Sequence, residues 1–156
     1  MDADTLLDRL QHSDFFDGQI VHVETVPARE AVFSEVAGGL HPAVAAVLAE
    51  AGITRLYSHQ AEAINHIRAG NSVVIVTGTA SGKTLCYNIP IVETLIDDPL
   101  ATALCIYPTK ALAQDQLRGI GSFHRPDDGI DFLAGTYDGD TPQNLRRRLR
   151  DGGNIV

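Results

Sequence analysis

The sequence predicts an α/β fold in which a parallel sheet carries helices on both faces. Apolar strands are expected at residues 72–76, 101–107 and 130–134, and helical segments lie between them. Strands that are apolar throughout and alternate with helices are typical of parallel sheets that are buried on both sides. The length of 156 residues and the hydrophobic content of 44% fit one ordinary domain with a core.

The N-terminal third is predicted to hold a short helix at residues 3–12 and a β-rich strand at residues 19–25. The stretch that follows is expected to be connecting structure. A further helix is predicted for residues 42–51, because Pro42 suits the first helical turn and Gly52 the position after the last.

Beyond residue 57 the predicted elements alternate regularly. In addition to the strands above, the sequence predicts helices at 58–69, 83–96, 109–117 and 141–150, and the start of a strand at 154–156. Ser58 and Thr109 are the expected caps of their helices, since a hydroxyl at that position can accept a hydrogen bond from a backbone N–H.

The most informative motif is Thr77-Gly-Thr-Ala-Ser-Gly-Lys-Thr84, which connects an apolar strand to a predicted helix. Such a turn lets successive backbone N–H groups surround phosphate oxygens, and the helix N-terminus adds partial positive charge. A nucleoside triphosphate is therefore predicted to bind to Thr77, Gly78, Thr79, Ala80, Ser81, Gly82, Lys83 and Thr84. Thr77 departs from the usual pattern, which has glycine there.

Two residues of this loop are predicted to act in ATP hydrolysis. Lys83 should contact the β- and γ-phosphates, and we expect it to face solvent when no nucleotide is bound. The Thr84 hydroxyl should ligate Mg²⁺. Gln60, 23 residues before Lys83, is predicted to select ATP, because its amide can both donate to and accept from the Hoogsteen edge of adenine.

Two later segments carry polar residues at a predicted helix start or turn. Residues 107–116 offer the Thr109 hydroxyl and the Lys110 ammonium to a phosphodiester, although an ordinary capped helix explains these residues equally well. Residues 135–142 contain an Asp-Gly pair and, on local grounds alone, indicate a turn before a helix.

In this order, Gln60 and its neighbours, residues 77–84, residues 107–116 and residues 137–141 resemble the Q-type motif and motifs I, Ia and Ib of superfamily 2 helicases. The residues of these four motifs are most similar to those of DExH-type DNA helicases of the RecQ4-related, mitomycin-repair group. The resemblance implies a RecA-like P-loop NTPase domain. It also implies a DNA-repair enzyme that couples ATP hydrolysis to 3′-to-5′ movement along single-stranded or partly duplex DNA.

The resemblance implies roles for single residues as well. Gln60 would contact adenine, and Tyr57 would pack near it. The backbone of the tracked DNA strand would be contacted by Pro108, Thr109 and Lys110, and Gly139, Asp140 and Thr141 would lie beside that strand.

No predicted strand ends in the Asp-Glu pair that holds Mg²⁺ and activates water in such enzymes. We therefore expect an N-terminal fragment with little ATPase activity of its own, whose partner is the rest of the helicase chain. Residues 1–50 would be an N-terminal extension, and residues 51–156 the first part of the first RecA-like domain, truncated before the acidic Walker B motif. Two alternatives stay open: a P-loop ATPase that does not act on nucleic acid, and a non-enzymatic nucleotide-binding module.

The net charge of −8 is unevenly distributed. Residues 1–54 carry −7 and residues 55–156 only −1, so the total does not exclude a nucleic-acid partner for the larger part. A basic cluster near the end consists of Arg146, Arg147, Arg148 and Arg150. It is either a solvated basic face or a path for DNA along Arg146 and Arg150.

Cys86 and Cys105 lie in apolar segments without the spacing of a zinc site or a redox pair. Two free thiols favour a reducing compartment, and we expect the cytoplasm. No stretch approaches the roughly 18 apolar residues of a membrane span, and the acidic N-terminus is unlike a secretory signal, so no membrane partner is expected.

Overall fold

The computed structural model describes residues 2–27 and 30–156. The chain divides into two compact units, Met1–Glu30 and Ala31–Val156. The first unit contains helix α1, Ala3–Gln11, which confirms the predicted N-terminal helix and buries none of its residues.

The predicted strand at residues 19–25 is wrong. These residues adopt no regular secondary structure, and Val21 is 91% exposed. A β-strand needs a neighbour to pair with its N–H and C=O groups, and no described residue forms a ladder with this segment. A β-rich composition without a partner strand therefore does not produce a strand here.

The second unit is built mainly from helices. In chain order its elements are β1 (Phe33–Ser34), α2 (Pro42–Glu50), β2 (Leu56–Tyr57), α3 (Ser58–Arg68), α4 (Lys83–Asp97), α5 (Lys110–Gly121), a short 3-10 turn (Pro126–Asp128) and α6 (Gln143–Gly152). All five helices predicted for this unit are confirmed. No helix in the described part of the chain has the length and apolar character needed to cross a bilayer.

The helix caps agree with the sequence in one case and differ in the other. Thr109 Oγ1 accepts from Leu112 N at 3.2 Å, which confirms the cap of α5. At α3 the cap is Tyr57 and not Ser58, because β2 ends at Tyr57 and leaves its backbone extended. The side chain that reaches back to this helix start is Gln60, whose Oε1 accepts from the Tyr57 N–H at 2.9 Å.

Helices α3 and α4 pack against each other at the centre of the core. Ile64 of α3 and both Ile89 and Val92 of α4 are completely buried. Helix α2 adds the equally buried Val44 to the same cluster. Residues 42–50 therefore belong to the core of the second unit, and the predicted boundary of the helicase domain at residue 51 stays a prediction.

Three extended segments lie beside one another in the second unit. Ile155 makes parallel bridges to both Ala103 and Ala134, so residues 154–156 lie between the other two segments. The Ala103 N–H donates to the Asn154 carbonyl at 2.7 Å. These bridges involve single residue pairs, and a continuous parallel sheet stays a prediction.

The predicted strands are not buried on both faces in this chain. Val74 and Val76 are 89% and 88% exposed, and Leu104 and Ile106 are 75% and 84% exposed. The residues between them are half-buried, so the described helices cover only one face of these segments. Complete burial was wrongly expected, because the cover of a strand comes from elements distant in sequence.

Candidate nucleotide site and nucleic-acid interface

The loop before α4, residues 77–82, folds around the ammonium of Lys83. Lys83 Nζ donates to the carbonyl oxygens of Thr77 at 3.1 Å and Gly78 at 2.5 Å. It also lies 3.3 Å from the hydroxyls of Thr77 and Ser81. Lys83 therefore lies against the loop and does not face solvent as predicted, because the loop itself supplies oxygen acceptors for the ammonium.

Two left-handed residues give this phosphate loop its shape: Ala80 has φ 56° and Gly82 has φ 74°. A Cβ at Gly82 would lie 2.5 Å from Gln60 Nε2, so both the conformation and the close approach require glycine. The hydroxyls of Thr77 and Ser81 hydrogen-bond to each other at 2.6 Å. Thr77 does not need a positive φ, which explains how a β-branched residue replaces the usual glycine.

Gln60 lies directly against the phosphate loop and is only 2% exposed. Its Oε1 accepts from the Tyr57 N–H, and its Nε2 donates to the Gly82 carbonyl, each at 2.9 Å. The amide thus connects the start of α3 to the start of α4. These bonds use one of the two Nε2 N–H groups and one of the two Oε1 lone pairs. The predicted role of Gln60 in selecting ATP stays a prediction.

A stack of flat side chains leads from β1 and β2 to the phosphate loop. The Arg55 guanidinium lies 4.2 Å from the centroid of the Phe33 ring, and Phe33 stacks on Tyr57 at 5.2 Å. Tyr57 stacks in turn on His59 at 5.8 Å, and His59 Nε2 lies 3.0 Å from the Ser81 carbonyl oxygen. The sequence analysis missed Phe33, because only the pairing of β1 with β2 brings it to Tyr57. It included His59 in the Q-type motif but gave it no role.

The start of α4 offers a hydroxyl to a metal ion. Thr84 is half-buried and is the second residue of α4, whose cap is Gly82. The described residues contain no group of three His, Cys, Asp or Glu side chains that could hold a metal by themselves. Mg²⁺ takes few protein ligands and completes its shell with phosphate oxygens and water, so one hydroxyl beside a phosphate loop fits this ion.

The predicted DNA-contacting residues at the start of α5, Pro108, Thr109 and Lys110, are all exposed. Lys110 Nζ donates to Asp140 Oδ2 at 2.5 Å. The hydrogen bond to Asp140 raises the pKa of Lys110, and the same bond lowers the pKa of Asp140. Two residues that were predicted to lie along one DNA strand therefore contact each other.

The turn at residues 138–141 is organised from within by Thr141, which is 8% exposed. Its hydroxyl donates to the Thr136 carbonyl and accepts from the Asp138 N–H, each at 2.9 Å. The Thr141 side chain is thus part of the turn, whereas Gly139 is exposed on it.

Arg146 of α6 holds the same turn from outside. Its Nε donates to the Thr141 carbonyl at 2.8 Å, and its Nη2 donates to the carbonyls of Asp138 at 2.5 Å and Gly139 at 3.2 Å. The guanidinium also lies 5.2 Å from the centroid of the Tyr137 ring. Arg146 therefore supports the turn in this structure, and the interpretation that it lines a DNA path stays a prediction.

A groove of about 360 Å³ lies between α5 and the segment that leads into the turn. Its lining includes Thr109, Lys110, Tyr137 and Asp138. Gln114 Nε2 donates to Thr136 Oγ1 at 2.9 Å and joins the two sides. Of the residues predicted to contact DNA, Thr109 and Lys110 line this groove, and the rest of its lining is largely apolar.

Residues 57–156 match the sequence profile described as DEAD/DEAH box helicase. The chain belongs to the DEAD/DEAH box helicase family. It is 40% identical over 137 residues to the uncharacterized ATP-dependent helicase YprA of Bacillus subtilis, covering 88% of this chain and 18% of YprA. It is 35% identical over 152 residues to the ATP-dependent helicase HRQ1 of Saccharomyces cerevisiae, covering 97% of this chain and 14% of HRQ1.

The fold agrees with a solved structure. A crystal structure of the DUF1998 helicase MrfA bound to DNA and AMPPNP matches with a TM-score of 0.84 and 37% identity, covering 100% of this chain and 21% of MrfA. The RecA-like helicase fold is therefore confirmed, and so is the resemblance to the RecQ4-related, mitomycin-repair group of superfamily 2 helicases. The chain spans less than a quarter of the length of these three proteins.

Proposed function

We propose that this chain is the ATP-binding part of an ATP-dependent DNA helicase that couples ATP hydrolysis to movement along single-stranded DNA. The observation that carries the proposal is the phosphate loop, in which Lys83 Nζ gathers two carbonyls and two hydroxyls at the start of α4. Relatives named as ATP-dependent helicases, and MrfA bound to DNA and AMPPNP, support the assignment.

The residues of the loop have distinct tasks in this proposal. The Lys83 ammonium exchanges its loop oxygens for the β- and γ-phosphate oxygens of ATP. The Thr84 hydroxyl would hold Mg²⁺, which neutralises charge on the phosphates when it is bound. Gln60, which donates to the Gly82 carbonyl of the loop, and the exposed Tyr57 beside it would contact adenine.

The DNA strand is proposed to run along the groove between α5 and the turn at 138–141. Thr109 and Lys110, which line the groove, and the exposed Pro108 before them would contact its phosphates. The exposed Gly139 and Asp140 would lie beside it. Asp140 would then compete with the phosphate for the Lys110 ammonium, to which it is already bonded.

The experiment is ATP turnover by the full-length protein with increasing amounts of a single-stranded oligonucleotide. We expect single-stranded DNA to raise the rate at least about tenfold, and Lys83→Ala to remove the stimulated rate. A duplex and a single-stranded RNA of equal length serve as comparisons. Turnover that ignores nucleic acid would support a P-loop ATPase of another kind, and absence of nucleotide binding would overturn the proposal.

We propose, further, that the full-length protein completes the parallel sheet that residues 101–105 and 154–156 begin, and that it acts in the cytoplasm. Cys86 and Cys105 are free thiols, in keeping with a reducing compartment. Burial raises the pKa of the Cys86 thiol, so this cysteine is protected from oxidation.

A further inference from the structure

A second, basic cleft of about 380 Å³ shares Tyr137 in its lining with the groove beside α5. Its lining consists of Tyr137, Thr141, Gln143, Arg146, Arg147 and Arg150. Three of these six side chains are guanidinium groups, in a chain whose net charge is −8. The cleft therefore concentrates positive charge beside the proposed path of the DNA strand.

The three arginines of the cleft are not equivalent. Arg146 uses its donors on the backbone of the turn, as described above. Arg147 and Arg150 are exposed, and no carboxylate among the described residues lies within salt-bridge distance of either. They are three positions apart on α6 and so lie on one face of that helix. Arg148, also exposed, does not line the cleft.

We propose that the cleft is a phosphate subsite for the single DNA strand, in which Arg147 and Arg150 bind backbone phosphates beyond the turn. The proposal rests on the proposed function, and it extends the strand past the contacts at Lys110. Guanidinium groups suit this task, because their planar donors match two phosphate oxygens at once. Gln143 adds an amide that can donate to the same phosphate or sugar.

Arg146 makes the subsite rigid without binding the phosphate itself. Its guanidinium covers the Tyr137 ring and fixes the carbonyls of the turn, so the wall shared by the two cavities is held in place. The strand would therefore pass from the groove at α5, across Tyr137, to two arginines whose charge no carboxylate of the described residues neutralises.

The test is the affinity of the full-length protein for a fluorescein-labelled oligo-dT strand, measured by anisotropy over a salt series from about 50 to 200 mM. Each phosphate contact that is lost should lower the slope of log affinity against log salt by about 0.7. We expect this change for Arg147→Ala and for Arg150→Ala, and about twice as much for the double variant. Arg147→Lys should keep most of the slope, since the charge remains.

Arg148→Ala is the matched control, because it removes the same charge from the same helix outside the cleft. Its slope should equal that of the parent. Equal losses of slope for Arg147→Ala and Arg148→Ala, or no loss of slope for the double variant, would overturn the subsite. If DNA-stimulated ATPase activity stayed normal in these variants, the helicase assignment would still hold. A parent protein that binds no single-stranded DNA would overturn both proposals together.

Discussion

The phosphate loop and the turn at residues 138–141 are each held by one cation that donates to backbone carbonyls. Lys83 holds the first and Arg146 the second. The supporting structure differs. The turn is also fixed by the buried Thr141 hydroxyl and by the Tyr137 ring under the guanidinium, whereas the ammonium in the phosphate loop is held by hydrogen bonds to that loop alone.

The difference shows that a cation beside a predicted site is not by itself a ligand-binding residue. An ammonium on a flexible stem can exchange four weakly directional contacts for phosphate oxygens at little cost. A planar guanidinium that satisfies three carbonyls and covers an aromatic ring would lose all of these on turning to a ligand. We therefore assign substrate binding to Lys83 and positioning to Arg146, and each assignment can be broken by one substitution.

Lys83→Ala should have the largest effect. ATP affinity should fall by about 100-fold or more, because hydrogen bonds to charged groups contribute roughly 1.5–3 kcal/mol each and 1.4 kcal/mol is a factor of ten. The unfolding transition should stay close to that of the parent, since Lys83 contacts only loop atoms. Titration calorimetry measures the ATP affinity of the variant and the parent, and thermal unfolding compares their stability.

The control is Lys110→Ala, which removes an equal charge from an exposed position at the other proposed interface. It should leave ATP affinity unchanged. If Lys83→Ala bound ATP as tightly as the parent, the loop contacts of Lys83 would be its only role and the comparison with Arg146 would collapse.

Arg146→Ala should have the next largest effect, and of a different kind. Affinity for single-stranded DNA should fall about tenfold, because the turn loses three hydrogen bonds from a charged donor. The salt slope should not change, since Arg146 neutralises no phosphate in our assignment. A slope lowered by about 0.7 would make Arg146 a phosphate contact and contradict its positioning role.

The sequence was sufficient for those parts of the fold that depend on neighbours in the chain. Helix positions follow from apolar spacing, and the Thr109 cap follows from one hydroxyl and a backbone N–H three residues on. The bonds of Lys83 and of the Thr77 and Ser81 hydroxyls within the phosphate loop are local in the same sense, whereas the bond from Gln60 to Gly82 is not.

What the sequence did not give depends on contacts between distant segments. The missing strand at 19–25 and the exposure of Val74 and Ile106 follow from which strands lie alongside, and no local pattern encodes that. The partners of Arg146 were missed for another reason: they lie only five to eight residues away, but the sequence does not show whether an arginine on a helix faces solvent, a ligand or a backbone carbonyl.

Gln60→Ala should have a smaller effect on nucleotide binding. It tests whether Gln60 only supports the phosphate loop or also contacts adenine. Loss of the bond to the Gly82 carbonyl should weaken binding of both ATP and GTP severalfold. If the amide also binds adenine, the affinity for ATP should fall more than the affinity for GTP, and the preference for ATP should narrow. Competition of the two nucleotides for a fluorescent analogue measures the ratio. A ratio identical to that of the parent would reduce Gln60 to support of the loop.

Asp140→Asn should have the smallest effect and the opposite sign, because it releases Lys110 beside the turn that Arg146 holds. We expect binding of single-stranded DNA to strengthen about two- to threefold at low salt, with a salt slope steeper by at most about 0.7.

Lowering the pH within the working range should not reproduce the effect of the substitution. Lys110 lowers the pKa of Asp140 from its ordinary value of 3.8, so the carboxylate stays ionised and the pair is lost only as the pH falls through that lowered value. The parent's affinity for single-stranded DNA should thus show no step from this pair between about pH 6 and 8.

Asp115→Asn is the matched control for Asp140→Asn, since Asp115 is an exposed carboxylate on α5 that pairs with Arg118 at 3.0 Å. An equal gain in both variants would reflect net charge alone, and a loss in Asp140→Asn would mean that the carboxylate holds Lys110 in its DNA-binding position and does not compete for it.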